Sequence, residues 1–269
     1  MMRIPVKNHV KLAVYDPNPQ GRETLLMIHG WPLAAAMYEY QQRWLINNGY
    51  RVITFDLRGF GCSDAPGWGY GYDALAEDLY QLVCRMNLRQ FILVGFSMGG
   101  AVALRYMRRY RGFGVRKLVL LAAAAPRFVQ AADFPYGQTV EQADALIRQA
   151  KTDRAQLAQD FSRTLLYSPH SEASKDWFRD IALGASGIGT VRTAVSLRNE
   201  DGRADLRHVK VPTGIFHGKQ DAVVPFVLGE IQHEEIPGSC LYAFERSGHA
   251  VFYDELPRFN HCLLEFLKG

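Results

Sequence analysis

At 269 residues with 48% apolar side chains, the chain is long enough for one sizeable α/β domain carrying an insertion. Its formal charge of +4 is small for that length and implies no nucleic-acid partner, and no apolar run approaches the roughly 20 residues that cross a bilayer. With no secretory apolar region after Met1, the expected location is the cytoplasm.

In chain order, apolar runs near 10–16, 24–29, 51–55, 91–95, 117–122, 211–217 and 239–245 alternate with helical patterns, which predicts a mainly parallel sheet. The run Leu25-Leu26-Met27-Ile28 leads into His29-Gly30-Trp31-Pro32, where Gly30 permits a sharp bend and Trp31 is able to turn an N–H toward a site. His29, immediately inside that turn, reads as a structural hydrogen-bonding group. Phe91-Ile92-Leu93-Val94 then runs into Gly95-Phe96-Ser97-Met98-Gly99-Gly100 and a helical pattern, placing Ser97 at a strand-to-helix turn. A Gly-x-Ser-x-Gly pentapeptide in that context can form a nucleophile elbow, whose small residues allow a strained backbone to lift the serine oxygen above the sheet, or an ordinary glycine-rich turn. The basic run from Arg105 to Lys117 falls at the end of the same helix and reads as a solvated face.

From about Pro126 to His208 strand signals vanish. The segment is polar and helical, with Thr139 and Gln142 spaced as a capping box and Leu157, Phe161 and Leu165 on one helical stripe. Strand signals return at Thr213-Gly214-Ile215-Phe216, followed by His217 to Pro225 with Asp221 in the loop, and at Cys240 to Phe244, followed by Ser247-Gly248-His249.

A serine hydroxyl is a poor nucleophile at neutral pH and needs a base within hydrogen-bond reach and a third group to orient that base. Of eight histidines, His249 lies in a loop beyond the carboxyl end of a strand, where ligands gather on parallel sheets. Asp221 has the same placement. A lone Asp in such a loop is more often a turn former, but Ser97, Asp221 and His249 in that order match the order of an α/β-hydrolase triad. Glu245 and Asp133 are reserve acids and His261 a reserve base, the last less suited because it sits in a core-packing helical pattern. Two backbone N–H groups are needed for the oxyanion: Met98, at the start of its helix, and one from the loop at Trp31.

The His-Gly-Trp-Pro loop, Asp56-Leu57-Arg58-Gly59-Phe60-Gly61-Cys62-Ser63-Asp64, the Ser97 elbow, Asp221 and His249 together resemble the α/β-hydrolase superfamily over nearly the whole chain. Within it, His29 to Leu33 and Gly95 to Gly100 resemble the bacterial arylesterase and cofactor-free haloperoxidase (perhydrolase) group. The resemblance implies an eight-stranded, mainly parallel sheet flanked by helices, with residues 1–125 and 209–269 as core and 126–208 as a helical cap. It implies a triad of Ser97, Asp221 and His249, with Trp31 and Met98 supplying oxyanion N–H groups. One departure is Gly248, because that group usually has Pro before its histidine.

Ser97 rather than Asp at the elbow points to acyl transfer. The expected activity is cleavage of small to medium carboxylic esters or lactones through an acyl-enzyme on Ser97. The alternatives are perhydrolysis, carbon-carbon bond hydrolysis, or a slow-turnover receptor on the same fold. Phe128, Phe161, Trp177 and Phe178 are candidates for an acyl pocket, although aromatics on a helix stripe are more often core. The partner is a small-molecule ester or lactone, and self-association is left open. Cys62, Cys84, Cys240 and Cys262 have no CxxC or metal-ligand spacing, His233-Glu234-Glu235 lacks a second histidine, and neither Gly67 to Gly71 nor Gly184 to Gly189 completes a nucleotide fingerprint. No metal or organic cofactor is expected.

Overall fold

A computed structural model describes residues 1–269. Eight strands, β1 (Met2–Pro5), β2 (Lys11–Tyr15), β3 (Thr24–Ile28), β4 (Arg51–Phe55), β5 (Phe91–Phe96), β6 (Val115–Leu121), β7 (Thr213–Gly218) and β8 (Cys240–Phe244), form one sheet in the order β1-β2-β4-β3-β5-β6-β7-β8. Pairings β1–β2 and β2–β4 are antiparallel and all others parallel. The central strands are buried on both faces, as β5 is along its whole length, because helices cover both sides of a parallel sheet.

Seven strands coincide with the apolar runs of the sequence. The eighth, β1, has no apolar run to betray it: it is a four-residue edge strand, mostly exposed, that pairs only with β2.

The helices between the core strands are α1 (Glu39–Asn47), α2 (Tyr72–Arg85) and α3 (Met98–Arg109), and after β7 come α9 (Val227–Glu235), α10 (Val251–Asp254) and α11 (Leu256–Lys268). In α11, Phe259, Leu263, Phe266 and Leu267 form the buried stripe that holds the helix on the sheet. Between β6 and β7 the chain makes α4 (Val140–Thr152), α5 (Arg154–Thr164), α6 (Glu172–Leu183), α7 (Gly187–Asn199) and α8 (Arg203–Leu206). Thr139 and Gln142 cap α4 reciprocally, each side chain bonding the other's backbone N–H, and the Leu157–Phe161–Leu165 stripe is buried. No helix is long and apolar enough to cross a membrane.

Within the basic run Arg108, Arg109 and Arg111 are exposed as expected of a solvated face, but the cations at its two ends depart from it. Arg105 is buried, bonded to Asp205 and Asp73 at 2.7 Å each and to Glu200 at 3.2 Å, so it joins α3 to α2, to α8 and to the end of α7. Lys117 donates to the Phe266 and Leu267 carbonyls at 2.9 Å each, satisfying the last turn of α11. Partners for both cations come from residues about 30 to 150 positions away, which a local charge pattern does not reveal.

The chain passes from β3 outward to β4 and then crosses to β5 on the other side of β3. Loops leaving β3 and β5 therefore diverge at a topological switch point, the place where open parallel sheets bind ligands. His29-Gly30-Trp31 and Ser97 meet there.

Candidate active site

The turn after β5 is strained in the way an elbow requires. Ser97 has φ 52° and ψ −121°, a positive φ held by its neighbours. Its backbone N–H donates to the Leu121 carbonyl at 2.9 Å, and its own carbonyl accepts from Gly100, Ala101 and Ala124. The turn is so tight that a Cβ at Gly95 would lie 2.6 Å from the Gly99 carbonyl oxygen. The Ser97 side chain, 4% exposed, makes no capping bond and lines a cavity of about 190 Å³.

His249 is fully buried, its ring 4.7 Å from that of Phe96, the residue before Ser97, and no hydrogen bond joins it to the Ser97 side chain. Nδ1 of His249 lies 2.7 Å from Oδ2 of Asp221. An ionised carboxylate only accepts, so Nδ1 carries the proton and Nε2 carries a free lone pair. That Nε2 is buried and has no hydrogen-bond partner.

Asp221 is held on both oxygens. Oδ1 accepts from the backbone N–H groups of Val223 and Val224, each at 2.8 Å, and Oδ2 faces two imidazoles, His249 at 2.7 Å and His217 Nε2 at 3.4 Å. Burial pushes the Asp221 carboxyl up, but the charge of His249 and the hydrogen bonds from His217 and His249 outweigh it and keep it well below the usual carboxylate range. His217 also bonds the Val224 carbonyl at 2.8 Å. His217 sits on β7 itself, where a histidine reads as an ordinary core residue, and no local pattern signals its contact with Asp221.

The family model described as the alpha/beta hydrolase fold matches residues 23–256. The chain belongs to the α/β-hydrolase family. This α/β-hydrolase is 40% identical over 263 residues to the AB hydrolase superfamily protein YisY of Bacillus subtilis, covering 98% of this chain and 97% of the relative. It superposes on an esterase from Exiguobacterium antarcticum with a TM-score of 0.96 at 40% identity, covering 100% of this chain and 99% of that one. A bromoperoxidase from Bacillus anthracis gives a TM-score of 0.93 at 34% identity, with 98% and 97% covered.

The loop at Trp31 of this α/β-hydrolase differs in one respect from expectation. The Trp31 indole N–H does not turn toward Ser97: it donates to the Thr190 carbonyl of α7 at 2.9 Å. The backbone N–H groups of Trp31 and Met98 are engaged by no backbone acceptor. His29 joins the Trp31 loop to the next one, with Nδ1 2.9 Å from the Gly30 carbonyl and Nε2 accepting from Leu57 N–H at 3.0 Å. Burial lowers the His29 pKa, against the opposing pull of Asp56 and the Gly30 carbonyl.

The reserve residues lie elsewhere. Glu245 pairs with Lys219 at 2.7 Å, Asp133 with Arg203 at 2.8 Å, and His261 with Glu265 at 3.3 Å, all on the surface. Of the four aromatics named for an acyl pocket, Phe128 and Phe161 line the cavity, with Trp31, Leu146, Leu157 and Leu197 among its other apolar walls. Trp177 and Phe178 instead pack against Tyr253. All four cysteines are free.

Proposed function

We propose that this chain is a serine hydrolase that cleaves small to medium carboxylic esters or lactones, with Ser97 as nucleophile, His249 as base and Asp221 as its orienting acid. The observation that carries the reading is the buried His249–Asp221 pair at 2.7 Å, with Nε2 unpartnered and the imidazole packed 4.7 Å from the ring of Phe96, next in the chain to the strained Ser97 that lines an apolar cavity.

In the first half of the cycle the Ser97 oxygen adds to the carbonyl carbon while His249 Nε2 takes its proton. Charge gathers on the former carbonyl oxygen, where the free backbone N–H groups of Trp31 and Met98 receive it; Met98 opens a helix whose dipole adds to the effect. Collapse expels the alcohol, which takes the proton from Nε2. In the second half, water gives a proton to Nε2 and adds to the acyl-enzyme, and the acid leaves as Ser97 recovers its proton. Asp221, held ionised, stabilises the imidazolium of both halves.

Residues 126–208 act as the cap over the cavity, since Phe128, Leu157, Phe161 and Leu197 all come from it. The substrate is a small molecule and the protein works in the cytoplasm.

Likeness to the bromoperoxidase of Bacillus anthracis favours a second use of the same acyl-enzyme. Hydrogen peroxide in place of water would attack the acyl carbon and leave as a peracid, with Ser97 regenerated and no redox step at the protein.

The test is steady-state hydrolysis of p-nitrophenyl acetate, butyrate and octanoate by wild type and Ser97→Ala, with a fluorophosphonate reporting labelling at Ser97. Turnover and labelling that both vanish in Ser97→Ala support the reading. Turnover that survives Ser97→Ala overturns it.

A further inference from the structure

A second buried carboxylate holds the residue before His249. Asp254 ends the short helix α10 and its side chain is 0% exposed. Four donors converge on it. Oδ2 accepts from Gly248 N–H at 2.7 Å and from Tyr167 N–H at 3.0 Å; Oδ1 accepts from Ser168 N–H at 3.2 Å and lies 2.7 Å from His170 Nε2. Gly248 is the neighbour of His249, while Tyr167, Ser168 and His170 belong to the segment between α5 and α6.

Two further bonds join the same two segments. Ala250 N–H donates to the Leu165 carbonyl at 2.9 Å, and Ser168 Oγ donates to the Arg246 carbonyl at 2.6 Å. The backbones are close enough that a Cβ at Gly248 would lie 3.1 Å from Tyr167 N and 3.3 Å from the Leu165 carbonyl oxygen. A proline at 248 would have no N–H to offer Asp254. The glycine that departs from the haloperoxidase pattern is thus the residue through which this carboxylate grips the histidine loop. Glu255 grips the loop one step earlier, accepting from Arg246 N–H at 2.9 Å and Ser247 Oγ at 2.8 Å.

We propose that Asp254 is a positioning residue for His249: its carboxylate fastens the His249 loop to the α5–α6 segment, so that the base is seated only while that segment is seated. The inference rests on the reading of His249 as the base. A buried carboxylate with four donors leaves several of them unpaired when it is removed, and a misplacement of the base by about 1 Å costs on the order of 100-fold. The loss falls on the chemical step, because Asp254 does not line the substrate cavity.

The experiment compares wild type, Asp254→Ala, Asp254→Asn and Gly248→Pro in the rate of Ser97 phosphonylation by an uncharged fluorophosphonate, in kcat and KM on p-nitrophenyl butyrate, and in melting temperature. In Asp254→Ala, phosphonylation and kcat should fall together by 10-fold or more with KM within about threefold. Asp254→Asn should recover most of the rate, since its carbonyl still accepts from Gly248 and Tyr167 and its amide donates to the other tautomer of His170. Gly248→Pro removes one donor and leaves the carboxylate in place, so it reads the same link if Asp254→Ala fails to fold; it should lower kcat in the same sense. A folded Asp254→Ala or Gly248→Pro with wild-type phosphonylation and kcat would overturn the proposal, as would losses confined to melting temperature or KM. A wild type that neither turns over nor labels overturns the reading of His249 instead, and the two failures are told apart by that control.

Discussion

The Trp31 indole N–H donates to the Thr190 carbonyl at 2.9 Å, so a loop that leaves β3 is tied to helix α7 of the insertion, 159 residues later in the chain. The same ring lines the cavity and meets Phe161 edge-on at a centroid distance of 5.9 Å. The indole is thus a wall and a tether, and the backbone N–H of the same residue is the group proposed for the oxyanion. Trp31→Phe should keep kcat within about threefold while raising KM several-fold, because it loses one hydrogen bond of about 1 kcal/mol and part of the wall but no backbone donor. Steady-state kinetics on p-nitrophenyl butyrate check this; a kcat loss beyond 100-fold would place the indole itself in the chemistry.

Asp221 is held ionised well below the usual carboxylate range, with burial raising its pKa and the two imidazoles pulling it down further than burial raises it. Between pH 4 and 9, therefore, it does not titrate, and the acid limb of the kcat/KM profile should have unit slope from a single proton on the base. His217→Phe removes one of the two groups that lower it. The Asp221 carboxyl should rise toward the ordinary carboxylate range, and the acid limb should steepen toward a slope of two at its low end, with kcat down about 5- to 100-fold. A wild-type slope of two, or an unchanged profile in His217→Phe, would contradict this.

Stability carries its own pH signature through His29. Its folded pKa is depressed below the ordinary 6.5 by burial, so between those two values the unfolded chain binds a proton that the folded chain does not. The contribution is complete above about pH 6.5 and falls with pH below it, by at most about 1.4 kcal/mol per unit, until the folded pKa is passed. Protonation at Nε2 would also set an N–H against the Leu57 N–H that now donates to it. Urea midpoints at pH 8, 7, 6 and 5 should fall more steeply for wild type than for His29→Gln; parallel slopes would count against the assignment.

The cavity that Ser97 lines is mostly apolar and about 190 Å³ in volume. Filling it from the insertion with Leu146→Trp should reduce kcat/KM for p-nitrophenyl octanoate at least 10-fold more than for the acetate, since each methylene in an apolar pocket is worth about 1–3 kcal/mol. An equal loss at every acyl length would mean that the acyl chain lies elsewhere.

Local pattern alone located the strand-turn-helix at Ser97, the two post-strand loops of Asp221 and His249, the capping box at Thr139 and the run of helices between β6 and β7, because backbone preference and apolar periodicity act over a few residues. What lay outside that reach was the pairing of distant parts. Lys117 finds the carbonyls of Phe266 and Leu267, Arg105 its carboxylates on three elements, the Trp31 indole the Thr190 carbonyl, and Asp254 the Gly248 N–H together with the α5–α6 segment. Buried polar groups must each find a partner, but which partner depends on what the fold brings within 3 Å, and that distance is set by the packing of helices on the sheet rather than by any neighbour in the chain. The sequence by itself determined the fold class and the order Ser97, Asp221, His249; the tertiary structure alone decided that His217 shares the Asp221 carboxylate, because a residue on β7 and one in the loop after it come into register only when that loop folds back over its strand.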